Sequence, residues 1–291
     1  MSGNRMGVEV VVAIVALIGL GWGVLAGAGT LAAWLTPYVP PAVDVAIGEQ
    51  AAKLGQMGQL CENPEAQAYV ERLAQPMLDQ IEDSPFEFSF VVSKTDQVNA
   101  FALPGGFVTV NYGLLTTADT GEEVAAVIAH ELQHVLQRHG TRRVLRQLGG
   151  WAVLSALVGG TDLAVPTFAL AELTDLSYDR GEESEADVLG LELLGRAGID
   201  PIGMATFFDR LDKLNKIRGL ELYSTHPDPG DRSERARIAA KKLGKGKPLP
   251  SPQGIECNNP TDPSDSTEDD NSKSEDTPEP WKPRPHPDLE D

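Results

Sequence analysis

The stretch His130-Glu131-Leu132-Gln133-His134 sets two histidines four residues apart with a glutamate beside the first. If it is helical, histidines four apart lie one turn above the other on a single face. Imidazoles at that spacing can converge on one metal ion, and Glu131 sits on the adjacent edge, within reach of a water at that ion. This is the His-Glu-x-x-His zinc-peptidase arrangement. Zinc would lower the pKa of its water to about 7 and polarise a scissile carbonyl, while the glutamate takes the proton of the water and passes it to the leaving amine. One Zn2+ per chain is the expected cofactor, with cobalt and manganese able to occupy similar nitrogen and oxygen sites.

A third ligand must come from elsewhere. A metzincin would place a glycine three residues after His134 and a histidine six residues after it, but those positions hold Gln137 and Gly140. His139, on a helix that continued through it, would point about 140° away from His134. It reads instead as a charge at a helix C-terminus. Downstream, Arg180 to Asp187 offers Glu182, Glu183 and Glu185. In glutamate zincins the third ligand is a Glu on a second helix, and an Asp one turn later can hold a ligand histidine by its second nitrogen, fixing tautomer and orientation. Glu183 with Asp187 has that spacing, whereas Glu182 and Glu185 are followed four residues on by Ala186 and Leu189. The competing reading is a solvated acidic first turn favoured by the helix dipole.

These residues need helices to carry them. Thr120 and Glu123 form a capping box that opens a helix expected to run through His139 and to stop at Gly140. A second helix is expected from about Asp179 to Ala197, and Asp200-Pro201 starts a third. Residues 65–81 have amphipathic helical spacing. The alternation in 86–92 predicts a strand, and 107–110 a second short strand after the Pro104-Gly105-Gly106 turn. The expected class is α+β: a mostly helical zincin-type domain with a small sheet beside the active-site helix.

Composition sets the limits. The chain has 291 residues, 24 Lys+Arg against 43 Asp+Glu, and a net charge of −19. That balance excludes a nucleic-acid partner, which needs clustered Lys and Arg. Val10 to Leu35 has no charged residue. As a helix it would be roughly 39 Å long, enough to span a bilayer with some tilt. Residues 1–36 therefore read as a transmembrane anchor or a signal peptide, with Trp34 and Tyr38 at the far interface and the remainder outside the cytoplasm. Secretion after signal cleavage is the alternative. Residues 37–43 are a linker, 44–249 the folded domain and 250–291 an acidic, Pro-rich tail. From Asn258 onward there are 11 acids and 3 bases, a net of −8, too little apolar surface to offset ordering, and an expectation of disorder. Cys61 and Cys257 bracket the domain and, outside the cytoplasm, form a candidate long-range disulfide; two unpaired thiols are the alternative.

Four stretches together resemble the gluzincin metallopeptidase family of HtpX, BepA and the CAAX prenyl endopeptidase. They are Asn99 to Gly106, His130 to Gly140, Arg180 to Asp187, and Ser224-Thr225-His226-Pro227 with Arg232 six residues after the histidine. The resemblance implies that Asn99, Ala100, Phe101, Gly105 and Gly106 belong to a substrate-binding edge segment, where an extended chain adds by backbone hydrogen bonds. It implies that His226 stabilises the tetrahedral oxyanion or occupies the open metal position in a resting form. A capping histidine before Pro227 is the structural alternative. Arg232 would be a structural or oxyanion-side cation. Members with several membrane spans differ from this chain, where residues 148–171 are interrupted by Thr161, Asp162 and Pro166 and read as a buried or gating segment over the site. The function implied is a zinc endopeptidase acting on misfolded or misassembled envelope polypeptides. The alternative is an exported chaperone or assembly factor with a protease fold and little cleavage.

Overall fold

A computed structural model describes residues 32–55, 57–147, 178–218 and 230–258. The gating expectation for 148–171, His226, most of the 10–35 tract and the tail from residue 259 lie outside them. Among the described residues no helix is long and apolar enough to cross a membrane.

The elements in chain order are a 3-10 turn Thr36–Tyr38, α1 (Pro41–Lys53), α2 (Pro64–Leu78), β1 (Ser89–Ser93), β2 (Ala100–Leu103), β3 (Phe107–Asn111), α3 (Tyr112–Thr117) and α4 (Gly121–Leu136). Helical residues 139–147 follow, then α5 (Arg180–Arg196), α6 (Ile202–Arg218) and α7 (Gly230–Leu243). This is the α+β architecture expected, a small sheet among many helices. The start of α1 takes up the end of the stretch read as a linker. Pro41 at its first position has no amide hydrogen to leave unpaired there.

The sheet order is β1-β3-β2, with β1 parallel to β3 and β2 antiparallel to it. Alternate residues serve opposite faces, as the period of a strand requires. Phe90, Val92, Ala100, Ala102, Val108 and Val110 pack into the main core with α2, α4, α5 and α6. Val91, Leu103 and Phe107 meet Ile47 and Ala51 of α1 and Val144 on the other face. Helices thus cover both sides, and β2 forms one edge of the sheet. Gly106 makes the turn into β3 feasible: its φ is +106°, and an added Cβ would lie 2.0 Å from the Glu87 carbonyl oxygen.

The helix that carries the histidines is buried along most of its length. At its start the Thr120 hydroxyl accepts from the Glu123 amide at 3.3 Å, and the Glu123 carboxylate reaches back to the Asp119 amide at 2.9 Å. Its end differs from expectation. α4 stops at Leu136, and the chain turns at Arg138, whose φ is +56°. An arginine adopts this left-handed conformation only at a cost, and its side chain explains why it does so here. The guanidinium donates through Nε to Asp44 Oδ1 at 3.0 Å and through Nη1 to the Thr36 carbonyl at 2.8 Å, and it also pairs with Asp44 Oδ2. Thr141 donates to Asp44 as well. A buried carboxylate on α1 therefore sets where the histidine helix breaks. Gly140 does not end it; it lies within the helical residues that follow.

The chain remains against the body past Leu249. Tyr69 donates to the Pro250 carbonyl at 2.8 Å, Asn63 to the Glu256 carbonyl at 2.8 Å, and Cys61 is bonded to Cys257. The bond spans 196 residues. In the chain-entropy model, closing so long a loop stabilises the fold by about 5 kcal/mol.

Candidate metal centre

Two helices supply the donors. α4 presents His130 and His134 one turn apart, and α5 brings Glu183 across from them, the two helices packing closely through Ala129 and Gly190. α5 is held at its start by a capping box: Asp179 Oδ1 accepts from the Gly181 and Glu182 amides, each at 2.9 Å, and the Glu182 carboxylate accepts from the Asp179 amide.

Among the described residues, His130, His134 and Glu183 form the one group of candidate ligands, all buried, with one donor atom each within 4.8 Å of the others. The Nε2 atoms of the two histidines are 3.0 Å apart. Glu183 Oε2 lies 3.6 Å from His130 Nε2, and its Oε1 lies 3.5 Å from His134 Nε2. A tetrahedral zinc with bonds of about 2.0–2.2 Å would hold its donors roughly 3.3 Å apart. The three separations bracket that value, and two imidazoles with one carboxylate are a donor set that zinc accepts. The residues fit the metal.

The neighbours of the donors are charged and ordered. His130 Nδ1 is 3.0 Å from Asp187 Oδ1, one turn beyond Glu183. Arg232, on α7, grips Asp187 with two bonds of 2.8 Å and reaches Glu183 Oε2 at 2.9 Å. Its guanidinium lies over Phe208, 4.4 Å from the ring centre. Burial would raise the Asp187 carboxyl, but the hydrogen bonds from His130 and Arg232 outweigh it and hold Asp187 below its usual range. Burial pulls the Arg232 guanidinium down, and its bonds and proximity to Asp187, Glu183 and Glu131 more than reverse the shift. Asp187 thus stays ionised, and Arg232 keeps its charge.

Glu131 is buried beside His130 on the wall of an apolar cleft. The cleft is lined by Val98, Asn99, Ala100, Leu114, Ala126, Val127, Met204, Phe207, Phe208 and Leu211, with His130, Glu131 and Arg232 at its polar end. Asn99 and Ala100 of the proposed edge segment therefore reach the site. Phe101 does not line the cleft but packs with the α1 side of the sheet. Gly105 and Gly106 turn the chain against the Asp44–Val45 backbone and against Glu87. The two other acids of the Glu183 segment have different partners: Glu182 pairs with Arg146 at 2.9 Å, and Glu185 with His139 at 3.2 Å.

The comparisons agree with this geometry. Residues 62–240 match the family model described as peptidase family M48. The chain belongs to peptidase family M48. It is 31% identical over 201 residues to the β-barrel assembly-enhancing protease of Escherichia coli (strain K12), a match that covers 63% of this chain and 41% of that protein. It is 32% identical over 183 residues to metalloprotease LoiP of the same organism, covering 60% of this chain and 71% of that one. It is 35% identical over 145 residues to mitochondrial metalloendopeptidase OMA1 of Arabidopsis thaliana, covering 47% of this chain and 28% of that one. The chain thus spans about two fifths of the length of the assembly-enhancing proteases it matches. The family and the donor set together point to a metal-dependent peptidase domain.

Two residues of this M48 site were not expected from sequence. His139 is fully buried rather than an exposed helix-end charge. Its Nδ1 is 2.9 Å from His134 Nδ1. Burial lowers its pKa, against the raising influence of Glu182 and Glu185. Tyr178 is buried and stacks on His134, with ring centres 3.8 Å apart and planes 17° apart. Arg143 covers the Tyr178 ring from 5.3 Å. No sequence signal marks His139, because the left-handed turn that places it falls at an arginine.

Proposed function

We propose that this chain is a zinc-dependent endopeptidase that cuts extended, poorly folded polypeptides on the oxidising side of a cell envelope. The observation that carries the reading is the convergence of His130, His134 and Glu183, with Glu131 in an apolar cleft that reaches Ala100 at the start of edge strand β2. In this reading His130 and His134 hold the zinc by Nε2 and Glu183 completes the protein ligands. Bound there, the metal supplies Lewis acidity toward a carbonyl and a water. Glu131 takes the proton from the attacking water and returns it to the leaving amine. Asp187 holds His130 in the tautomer that leaves Nε2 free. Arg232 neutralises Asp187 and Glu183 together and keeps both carboxylates aimed. His226 is assigned the oxyanion role, or the open metal position in a resting form, on the family resemblance alone.

Substrate selection follows from the cleft. An extended segment pairing with β2 would be read by its backbone, so its sequence would matter little. The exception is a side chain next to the scissile bond, which would enter a pocket walled by Leu114, Met204, Phe207 and Leu211 and would be apolar. Segments of that kind are exposed in misfolded or unassembled proteins. The disulfide suits an oxidising compartment, and the 10–35 tract would hold the domain at the membrane. The assembly-enhancing proteases among its relatives are consistent with an envelope quality-control task.

The test is zinc content with casein cleavage on the full chain, for wild type and Glu131→Gln. We expect one zinc in each and a loss of cleavage of at least about 10²–10⁴-fold in the variant. Full cleavage by Glu131→Gln, or no stoichiometric zinc in wild type, would overturn the reading. Zinc without cleavage in wild type would favour the chaperone alternative.

A further inference from the structure

The two ligand histidines are secured in different ways. His130 leans directly on a carboxylate, Asp187. His134 faces another imidazole: His139 Nδ1 is 2.9 Å from His134 Nδ1, and His139 Nε2 is 3.2 Å from Glu185 Oε2. We propose that His139 and Glu185 are positioning residues that hold His134 for the metal through a one-directional chain of hydrogen bonds ending at the protein surface. The inference rests on the zinc reading above.

The direction follows from bookkeeping of protons. His134 Nε2 faces His130 and Glu183, so metal takes that nitrogen, and a neutral ring must then carry its proton on Nδ1. That N–H points at His139 Nδ1, which can receive it only as a lone pair. His139 must therefore carry its own proton on Nε2, where it donates to Glu185. Reversing any one tautomer sets two N–H groups, or two lone pairs, against each other at 2.9 Å. Metal at one end and a carboxylate at the other leave one arrangement. The Glu185 side chain is 45% exposed, so the buried ligand is linked to a solvated anion. Tyr178, stacked on His134, limits rotation about the ring's remaining torsion.

The arrangement depends on the break in the histidine helix. A helix continuing past Leu136 would carry His139 to another face. Arg138, turned to positive φ by Asp44, folds it back beside His134. The two histidines also differ as donors: His130, paired directly with an anion, is the more electron-rich, while His134 feels its anion through a neutral ring.

The experiment is zinc affinity by chelator competition on the full chain, for wild type, His139→Asn, His139→Leu and Glu185→Leu, with melting of the metal-free proteins alongside. Asn keeps an acceptor where Nδ1 stood. We expect His139→Leu to lose about 10–100-fold in zinc affinity and His139→Asn to recover most of it. Glu185→Leu should lose several-fold with little change in metal-free melting, and it carries the test if His139→Leu does not fold. Two-bond ¹⁵N spectra of the zinc-loaded wild type should show His134 protonated at Nδ1 and His139 at Nε2. Wild-type zinc affinity in both Leu variants, or a His139 proton on Nδ1, would overturn the proposal while leaving the zinc site standing. A wild type that binds no zinc would remove both.

Discussion

Among the arginine–carboxylate clasps of the described residues, Arg232–Asp187 and Arg138–Asp44 differ in one respect: only the first touches the donors. At the metal centre Arg232 grips Asp187, which faces His130. Past the end of the histidine helix Arg138 grips Asp44, and its bonds go to α1 and the Thr36 carbonyl. Each joins elements that are distant in sequence, and in each the carboxylate is buried. The difference lies in what the carboxylate does with its remaining capacity. Asp187 uses it to orient a metal-facing imidazole, whereas Asp44 uses it on the Thr141 hydroxyl and so locks a backbone turn. The same pair of side chains acts on chemistry in one place and on chain direction in the other. A buried ion pair alone therefore says little about function; its third partner says more.

Breaking the clasps should separate these roles. The largest effect is expected for Asp44→Ala, which leaves the Arg138 guanidinium buried without its anion. We expect about 3–5 kcal/mol of destabilisation. For a domain of this size that lowers the melting temperature by about 6–20 °C, with unchanged zinc stoichiometry in the folded fraction. Loss of zinc before loss of structure would show the two clasps to be equivalent. Asp187→Asn should do the opposite, weakening zinc about 10–100-fold by chelator competition. Arg232→Lys and Arg138→Lys come next. Lysine cannot reproduce the forked bonds of either site, and each should cost roughly 1–3 kcal/mol in chemical denaturation. Arg232→Lys should also lower zinc affinity directly, and Arg138→Lys by a smaller factor, through the turn that seats His139.

The smallest effect serves as a control. Asp179 caps α5 and pairs with Arg146 at the surface. Its slight burial raises its pKa, but the amides of Glu182 and Gly181 and the Arg146 guanidinium prevail and depress it. A depressed carboxylate contributes stability that is present above its unfolded pKa and is lost as pH falls through the folded one. Asp179→Ala should cost about 1 kcal/mol at neutral pH, and the difference from wild type should vanish in acid below the ordinary aspartate range. A difference that persisted there would mean that the cap is not the cause.

The readable parts of the molecule were those governed by short-range geometry. The His130–His134 spacing and the Glu183–Asp187 spacing each fall within one helical turn, so local periodicity suffices to place them on faces. Strand β1 announced itself by alternation, and β3 by its place after the Pro104-Gly105-Gly106 turn. Strand order was not readable, because β1 and β3 pair in parallel across an intervening strand whose partner only the tertiary fold chooses. The end of α4 was missed for a related reason. Gly140 carries the usual stop signal, yet the chain turns at Arg138, whose conformation depends on Asp44, 94 residues earlier. With the turn hidden, the role of His139 was hidden too. Residues 250–258 resembled the start of a tail by composition, but Cys257 and the carbonyls of Pro250 and Glu256 fasten them to the body.

The Cys61–Cys257 bond has a mechanical consequence. Suppose the domain is pulled between a tether before Thr36 and its acidic tail after Asn258. The force enters through α1, crosses the sulfurs and leaves along the tail. Once the bonds of α1 to Arg138 and Thr141 have given way, everything from Glu62 to Glu256 hangs as a side loop in parallel with a covalent shortcut and bears no tension. The Arg138 bonds to Thr36 and Asp44 are the grips the load must loosen, and after that the helices that bear the donors stay slack while their own tether is under strain.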